Sequence, residues 1–187
     1  AFDDNAEDSS ISNLHLTSTG ASLSDYTTGK LDKAFKHTGT QYHEHDDHSC
    51  FNLGPDGINV WFWLKSDYEA PYSWGVGTIQ PEGIATKGTW EDLGSGQRDF
   101  DGEWGIFWAE TSPSVTYNGG IYFVVGNGAG GLFDADYVSV APTEEKWQFY
   151  FFWASIAEGK VYGIQDGGGT VEANLTGTQT LTSDKKL

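Results

Sequence analysis

Basic residues are scarce in this chain: ten lysines and arginines stand against 27 aspartates and glutamates, a formal net charge of −17. A direct nucleic-acid ligand is thereby excluded as an expectation, because neutralising phosphates requires clustered Lys and Arg. Cysteine is nearly absent. Cys50 alone permits no internal disulfide framework and leaves the redox compartment open. Methionine is absent altogether, so the chain is expected to be trimmed, cleaved from a leader or excised from something larger, although AFDDNAED shows no signal-peptide pattern. Apolar runs of membrane-spanning length and lipidation patterns are also missing, which predicts no membrane insertion. Helical periodicity is almost absent, the one candidate being a brief segment near Gly29–Phe35 whose Gly and Asp support it poorly.

What is abundant is glycine, at 25 residues, and aromatic side chains, at 15%. That combination suits many short strands joined by turns. Apolar runs near Gln41–His45, Ile58–Lys65, Ser73–Ile79, Glu103–Ala109, Gly120–Gly126, Tyr137–Val140, Gln148–Ser155, Lys160–Gln165 and Thr170–Leu175 alternate with Gly, Asp, Asn and Pro clusters. The pattern predicts an all-β, two-sheet antiparallel sandwich of jelly-roll type, one domain over residues 1–187. Gly83–Gly102 reads as the longest irregular stretch, a loop excursion over the sheet.

Two strands are apolar on both alternating faces. In Ile58–Asp67, Ile58, Val60, Phe62 and Leu64 alternate with Asn59, Trp61, Trp63 and Lys65. In KWQFYFFW, Trp147, Phe149, Phe151 and Trp153 alternate with Gln148, Tyr150, Phe152 and Ala154. A half-buried strand needs one apolar face, since side chains repeat every second residue. The second face must meet a loop, a partner or a ligand.

The order of features resembles the laminin-G-like, concanavalin-A-like lectin and glucanase superfamily. The acidic turn around Asp3–Asp8, GKLDKAFKHTG, INVWFWLKSD, ATKGTW, EWGIFW, KWQFYFFW and GKVYGIQDGG are similar, in order, to its successive strands and hairpins. The resemblance implies that Ile58, Val60, Phe62 and Leu64 face the inter-sheet core with Tyr150 and Phe152. It also implies that Asn59, Trp61, Trp63, Phe149, Phe151 and Trp153 line a concave groove. Members usually continue past the last hairpin into further strands. The stop at LTSDKKL therefore predicts an open sheet edge suited to pairing with another chain.

Fold alone does not decide among lectin, adhesion module and hydrolase. Trp and Phe platforms flanked by Asn suit the apolar faces of sugars, and the same strip suits a buried protein interface. Two versions of a recognition or adhesion role are therefore open. One is a glycan-binding module, extracellular, at a cell surface or on a virion. The other is a structural or decoration protein whose partners are neighbouring subunits, as a homo-oligomer or larger assembly. A glycoside hydrolase rests on Asp99, Asp101 and Glu103, whose period-two spacing would put three carboxylates on one face.

Metal candidates are two. Asp3, Asp4, Asn5 and Asp8 offer oxygen ligands for Ca²⁺, a single structural calcium being what the resemblance implies. His43 and His45 would share one face of a strand, with His48 nearby, a geometry that suits zinc or copper once a third ligand joins. GNGAGG at 126–131 lacks the Lys-Ser/Thr and helix of a phosphate loop. Asn174-Leu-Thr176 is a glycosylation sequon in a secreted eukaryotic setting.

Overall fold

The computed structural model describes residues 16–20, 26–31, 33–36, 42–66, 82–94, 97–109, 120–127, 135–143 and 145–179, with side chains at 82, 89–94, 97–99, 109 and 135 left aside. The described residues are all-β apart from one short 3-10 turn, Ser49–Phe51. The chain divides into two compact units, residues 1–48 with 186–187, and residues 49–185.

The smaller unit holds two short antiparallel pairs. β1 (Thr17–Thr19) pairs with β4 (Tyr42–Glu44), and β2 (Tyr26–Thr28) with β3 (Lys33–Phe35). The segment expected to be the one helical candidate is thus a β-hairpin. Gly29 explains why: a Cβ there would lie 2.7 Å from the Lys33 carbonyl carbon and oxygen, so the turn closes too tightly for a side chain. Tyr26, Phe35 and His43 form the ring cluster of this unit, with Phe35 and His43 centroids 4.5 Å apart.

The larger unit is a sandwich of two four-stranded antiparallel sheets. The first runs β12–β11–β10–β5, from β5 (Ile58–Lys65), β10 (Trp147–Ser155), β11 (Lys160–Gln165) and β12 (Val171–Asn174). The second runs β6–β7–β8–β9, from β6 (Glu82–Gly94), β7 (Gln97–Ala109), β8 (Gly120–Gly126) and β9 (Ala135–Val140). Ring contact between Phe123 of β8 and Phe152 of β10, centroids 5.6 Å apart, marks where the sheets meet. Ile106, Ile121, Val125, Tyr150 and Val161 are buried in the same interior. Each such side chain withdraws enough apolar surface to contribute about 1.5–3 kcal/mol.

Gly83–Gly102 corrects the sequence expectation. It is no loop over the first sheet but most of a long hairpin, β6 with β7, inside the second. Its glycines mimic loop punctuation while serving backbone contact. A Cβ on Gly88 would lie 2.7 Å from the Gly102 Cα, and one on Gly102 would lie 2.4 Å from the Gly88 Cα. Two strands approach closely there, and a glycine on each side allows it.

The sheets differ in how they are covered. Every residue of β8 is buried, so the second sheet is covered on both faces along this strand, with Phe100, Phe107, Tyr122 and Val124 clustered on the side away from Phe123. Along β10, by contrast, buried and half-buried residues alternate without exception. One face of the first sheet is core, and the other is partly open.

Candidate functional site

Strand register builds the partly open face. Across β5 and β10, Trp63 lies opposite Phe149, Trp61 opposite Phe151 and Asn59 opposite Trp153. Across β10 and β11, Trp153 lies opposite Tyr162 and Phe151 opposite Ile164. Cross-strand partners share a face, so all these side chains stand on the side opposite Tyr150 and Phe152. Asn59, Trp61, Trp63, Phe149, Phe151 and Trp153 are therefore brought together, and Tyr162 joins them.

The rings on this face form two contact groups, which the Trp61–Phe151 register sets side by side. Trp61 and Trp63 approach Phe149 with centroids 6.4 Å and 5.5 Å away. Phe151 stacks on Trp153 at 5.0 Å, and Trp153 on Tyr162 at 4.7 Å with planes 13° from parallel. Such separations lie within the attractive range for offset aromatic pairs. Most of these rings are half-buried, but Trp61 is 66% exposed.

Turns fix this register. Gly57 has φ +89°, and a Cβ there would meet the Ala154 carbonyl oxygen, so only glycine lets β5 begin flush against β10. The four residues Ile156–Gly159 link β10 to β11, with Gly159 at φ +64° and the Gly159 N–H donating to the Ile156 carbonyl. That turn length sets Ser155 opposite Lys160 and hence Trp153 opposite Tyr162. At the far end, Asp166 and Gly167 both carry positive φ, the arrangement that suits a tight hairpin turn, and the Asp166 N–H donates to the Phe149 carbonyl at 2.7 Å.

Polar groups edge these rings. The Tyr162 hydroxyl donates to Glu158 Oε2 at 2.7 Å, and this hydrogen bond raises its pKa above the ordinary tyrosine value. Lys160 Nζ donates to Glu172 Oε1 at 2.7 Å, and the same bond raises the lysine pKa. Lys65 pairs with Glu145 at 2.7 Å beyond the other end. Asn59 is exposed beside Trp153. The opposite face is unlike this one: the Tyr150 hydroxyl donates to Gln148 Oε1 at 3.2 Å within the core, and burial, then the charge of Asp166, pushes the Tyr150 pKa up to about 12.

The carboxylate run lies in the second sheet. Asp99 and Asp101 pair with Glu91 and Thr89, and a register shift between Lys87 and Gly88 leaves Glu103 as the extra residue of a bulge. Asp101 is exposed, whereas Glu103 is fully buried, 3.6 Å from Lys87 Nζ, with its Oε2 accepting the Leu53 N–H at 2.7 Å. The shared face expected from period two therefore spans two environments, one wet and one dry.

The histidines part company. β4 ends at Glu44, so His43 lies in the strand and contacts Ser18, Tyr26 and Phe35, while His45 lies beyond it with its ring centroid 6.2 Å from that of His48. Among the described residues no three His, Cys, Asp or Glu side chains converge on one point. Asp3, Asp4, Asn5 and Asp8 lie outside the described residues. Among the described residues no helix is long and apolar enough to cross a membrane.

Sequence reasoning passes over Tyr162, Glu158, Lys160 and Glu172. The length of the IAEG turn holds the signal: counting out from it aligns Tyr162 with Trp153. No family model, no curated protein and no solved structure matches this chain.

Proposed function

We propose that this chain is a non-catalytic recognition module that holds a glycan on the aromatic face of β5, β10 and β11. In this reading the sandwich is a jelly roll of laminin-G-like or concanavalin-A-like kind, working outside the cell, at a cell surface or on a virion. The observation that carries the reading is Trp61, 66% exposed, in one row with Phe149, Phe151, Trp153 and Tyr162. Pyranose rings present apolar CH faces and a hydroxyl rim. A row of aromatic rings bordered by Asn59, Lys160, Glu158 and Glu172 matches both parts of that chemistry.

The burial of Glu103 favours recognition over hydrolysis. Retaining and inverting glycosidases need two carboxyl groups facing a sugar about 5–10 Å apart. Glu103 faces Lys87 and the Leu53 amide instead.

The same aromatic row also suits a neighbouring subunit, since Trp and Tyr are enriched at protein interfaces. One experiment separates the two. Particle mass is measured by light scattering with and without EDTA, and the protein is then applied to a glycan array beside Trp61→Ala. A monomer whose glycan binding disappears with Trp61 bears out the proposal. A defined oligomer that falls apart in Trp61→Ala, with no glycan bound by either protein, overturns it in favour of assembly. Oligomer loss in EDTA would further assign a cation to the interface.

A further inference from the structure

The Lys87–Glu103 pair stands apart from the aromatic face, and glycan recognition makes no use of it. Lys87 comes from β6 and Glu103 from the bulge of β7 that follows the Gly88–Gly102 contact. Both side chains are 0% exposed, with Nζ 3.6 Å from Oε1. The other carboxylate oxygen, Oε2, accepts the N–H of Leu53 at 2.7 Å, and Leu53 is itself fully buried. Next to it the indole N–H of Trp104 donates to the Phe51 carbonyl at 2.7 Å, which pins the 51–53 segment against β7. Two opposite charges are thus held out of water, a placement whose desolvation cost is offset only by good ion-pair geometry. Their separation exceeds the about 2.7–2.9 Å of a charge-assisted hydrogen bond.

We propose that Lys87 and Glu103 condense to form an intramolecular isopeptide bond. The carboxyl group already has the parts of an acyl-transfer site. A proton passes from the Lys87 ammonium to Glu103 Oε1, and the freed lone pair on Nζ adds to Cδ. Negative charge gathers on Oε2, where the Leu53 N–H stands ready to stabilise it in a water-excluded setting. Collapse of this intermediate breaks the Cδ–Oε1 bond. Oε1 leaves as water, taking a second proton from the nitrogen. One N–H remains, and Oε2 becomes the amide carbonyl oxygen, still accepting from Leu53. Atoms and charge balance: an ammonium and a carboxylate give a neutral amide and one water, with no oxidant or co-reactant. The driving force is the removal of two buried charges, and the fixed juxtaposition of the groups supplies proximity. The product clamps β6 to β7 covalently, so the hairpin resists separation by heat or pulling.

The test is the intact mass of the denatured wild-type protein, which needs no variant to fold. The expected value lies about 18 Da below the sequence mass, the water released on amide formation. Trypsin should then leave Lys87 uncut and deliver peptides 66–98 and 99–146 as one cross-linked species, with tandem fragmentation locating the link at Lys87 and Glu103. Lys87→Met and Glu103→Leu should each return the full sequence mass. A wild-type mass equal to the sequence mass overturns the proposal, as does cleavage after Lys87. So does an equal loss mapped to succinimide at Asp56-Gly57, Asp101-Gly102 or Asp166-Gly167 instead. A loss of about 17 Da, the ammonia of an amide side chain, would also overturn it, because Glu103 would then not be the acyl donor.

Discussion

Trp153 and Tyr162 stand face to face across β10 and β11, with ring centroids 4.7 Å apart and planes 13° from parallel. Their pairing extends the aromatic row from β5 and β10 onto β11 and ties it to the Glu158 and Glu172 rim. A stack of this kind is worth about 0.5–1.5 kcal/mol beyond the area it buries.

Trp61 separates binding from stability. Because it is 66% exposed, Trp61→Ala should leave the unfolding free energy within about 0.5 kcal/mol of wild type. Glycan affinity should fall by about tenfold or more, since large aromatic anchors dominate binding surfaces. Trp153→Ala should weaken both, because its ring is packed against Phe151 and Tyr162. Titration calorimetry beside urea unfolding reads the two effects. With a net charge of −17, neutral oligosaccharides are expected to bind better than sulfated or sialylated ones at low salt.

Phe152 is the core counterpart. It is fully buried and touches Phe123 of the facing sheet. Phe152→Ala should cost about 3–5 kcal/mol of stability through lost contact and the cavity left behind. Urea unfolding checks this, and an unchanged midpoint would contradict the sheet-on-sheet contact.

Gly88 and Gly102 should both resist enlargement. Gly102→Ala places a methyl 2.4 Å from the Gly88 Cα and 2.5 Å from the Lys87 carbonyl oxygen. The strands must part to admit it, at a cost of about 1–3 kcal/mol. Hydrogen exchange should show the loss concentrated in β6 and β7.

Tyr150 makes stability fall at high pH. Burial raises its pKa from 10.0 to about 12 in the folded state. The folded protein therefore keeps a proton that the unfolded chain has lost between pH 10 and about 12. Stability from this group is complete below pH 10 and decreases as pH rises through that window. Tyr150→Phe should flatten this part of the curve, and ultraviolet titration of wild type should show a tyrosine ionising near the top of it.

Asp136 fastens the segment after β12. Its Oδ1 accepts the Thr176 hydroxyl at 2.7 Å and its Oδ2 the Thr176 N–H. Asp136→Ala should cost about 0.5–1.5 kcal/mol, the net range for a typical hydrogen bond, because these bonds face solvent. Limited proteolysis should then cut sooner beyond Asn174.

Period-two alternation, a local property of the chain, was legible from the sequence. It named β5 and β10 as strands and divided their side chains into two sets that the register keeps apart, Trp61 with Phe151 and Phe62 with Tyr150. It also gave the all-β class, because glycine-punctuated aromatic runs rarely fold otherwise. Contacts between residues distant in sequence lay beyond it. Gly88 and Gly102 read as loop residues until each is seen against the other's backbone. Glu103 reads like Asp101 until the bulge and Leu53 enclose it. Tyr162 acquires its place through the register of a neighbouring strand. Burial, ion pairing and the membership of a face are decided by which strands meet, and that is a property of the folded chain rather than of any segment in it.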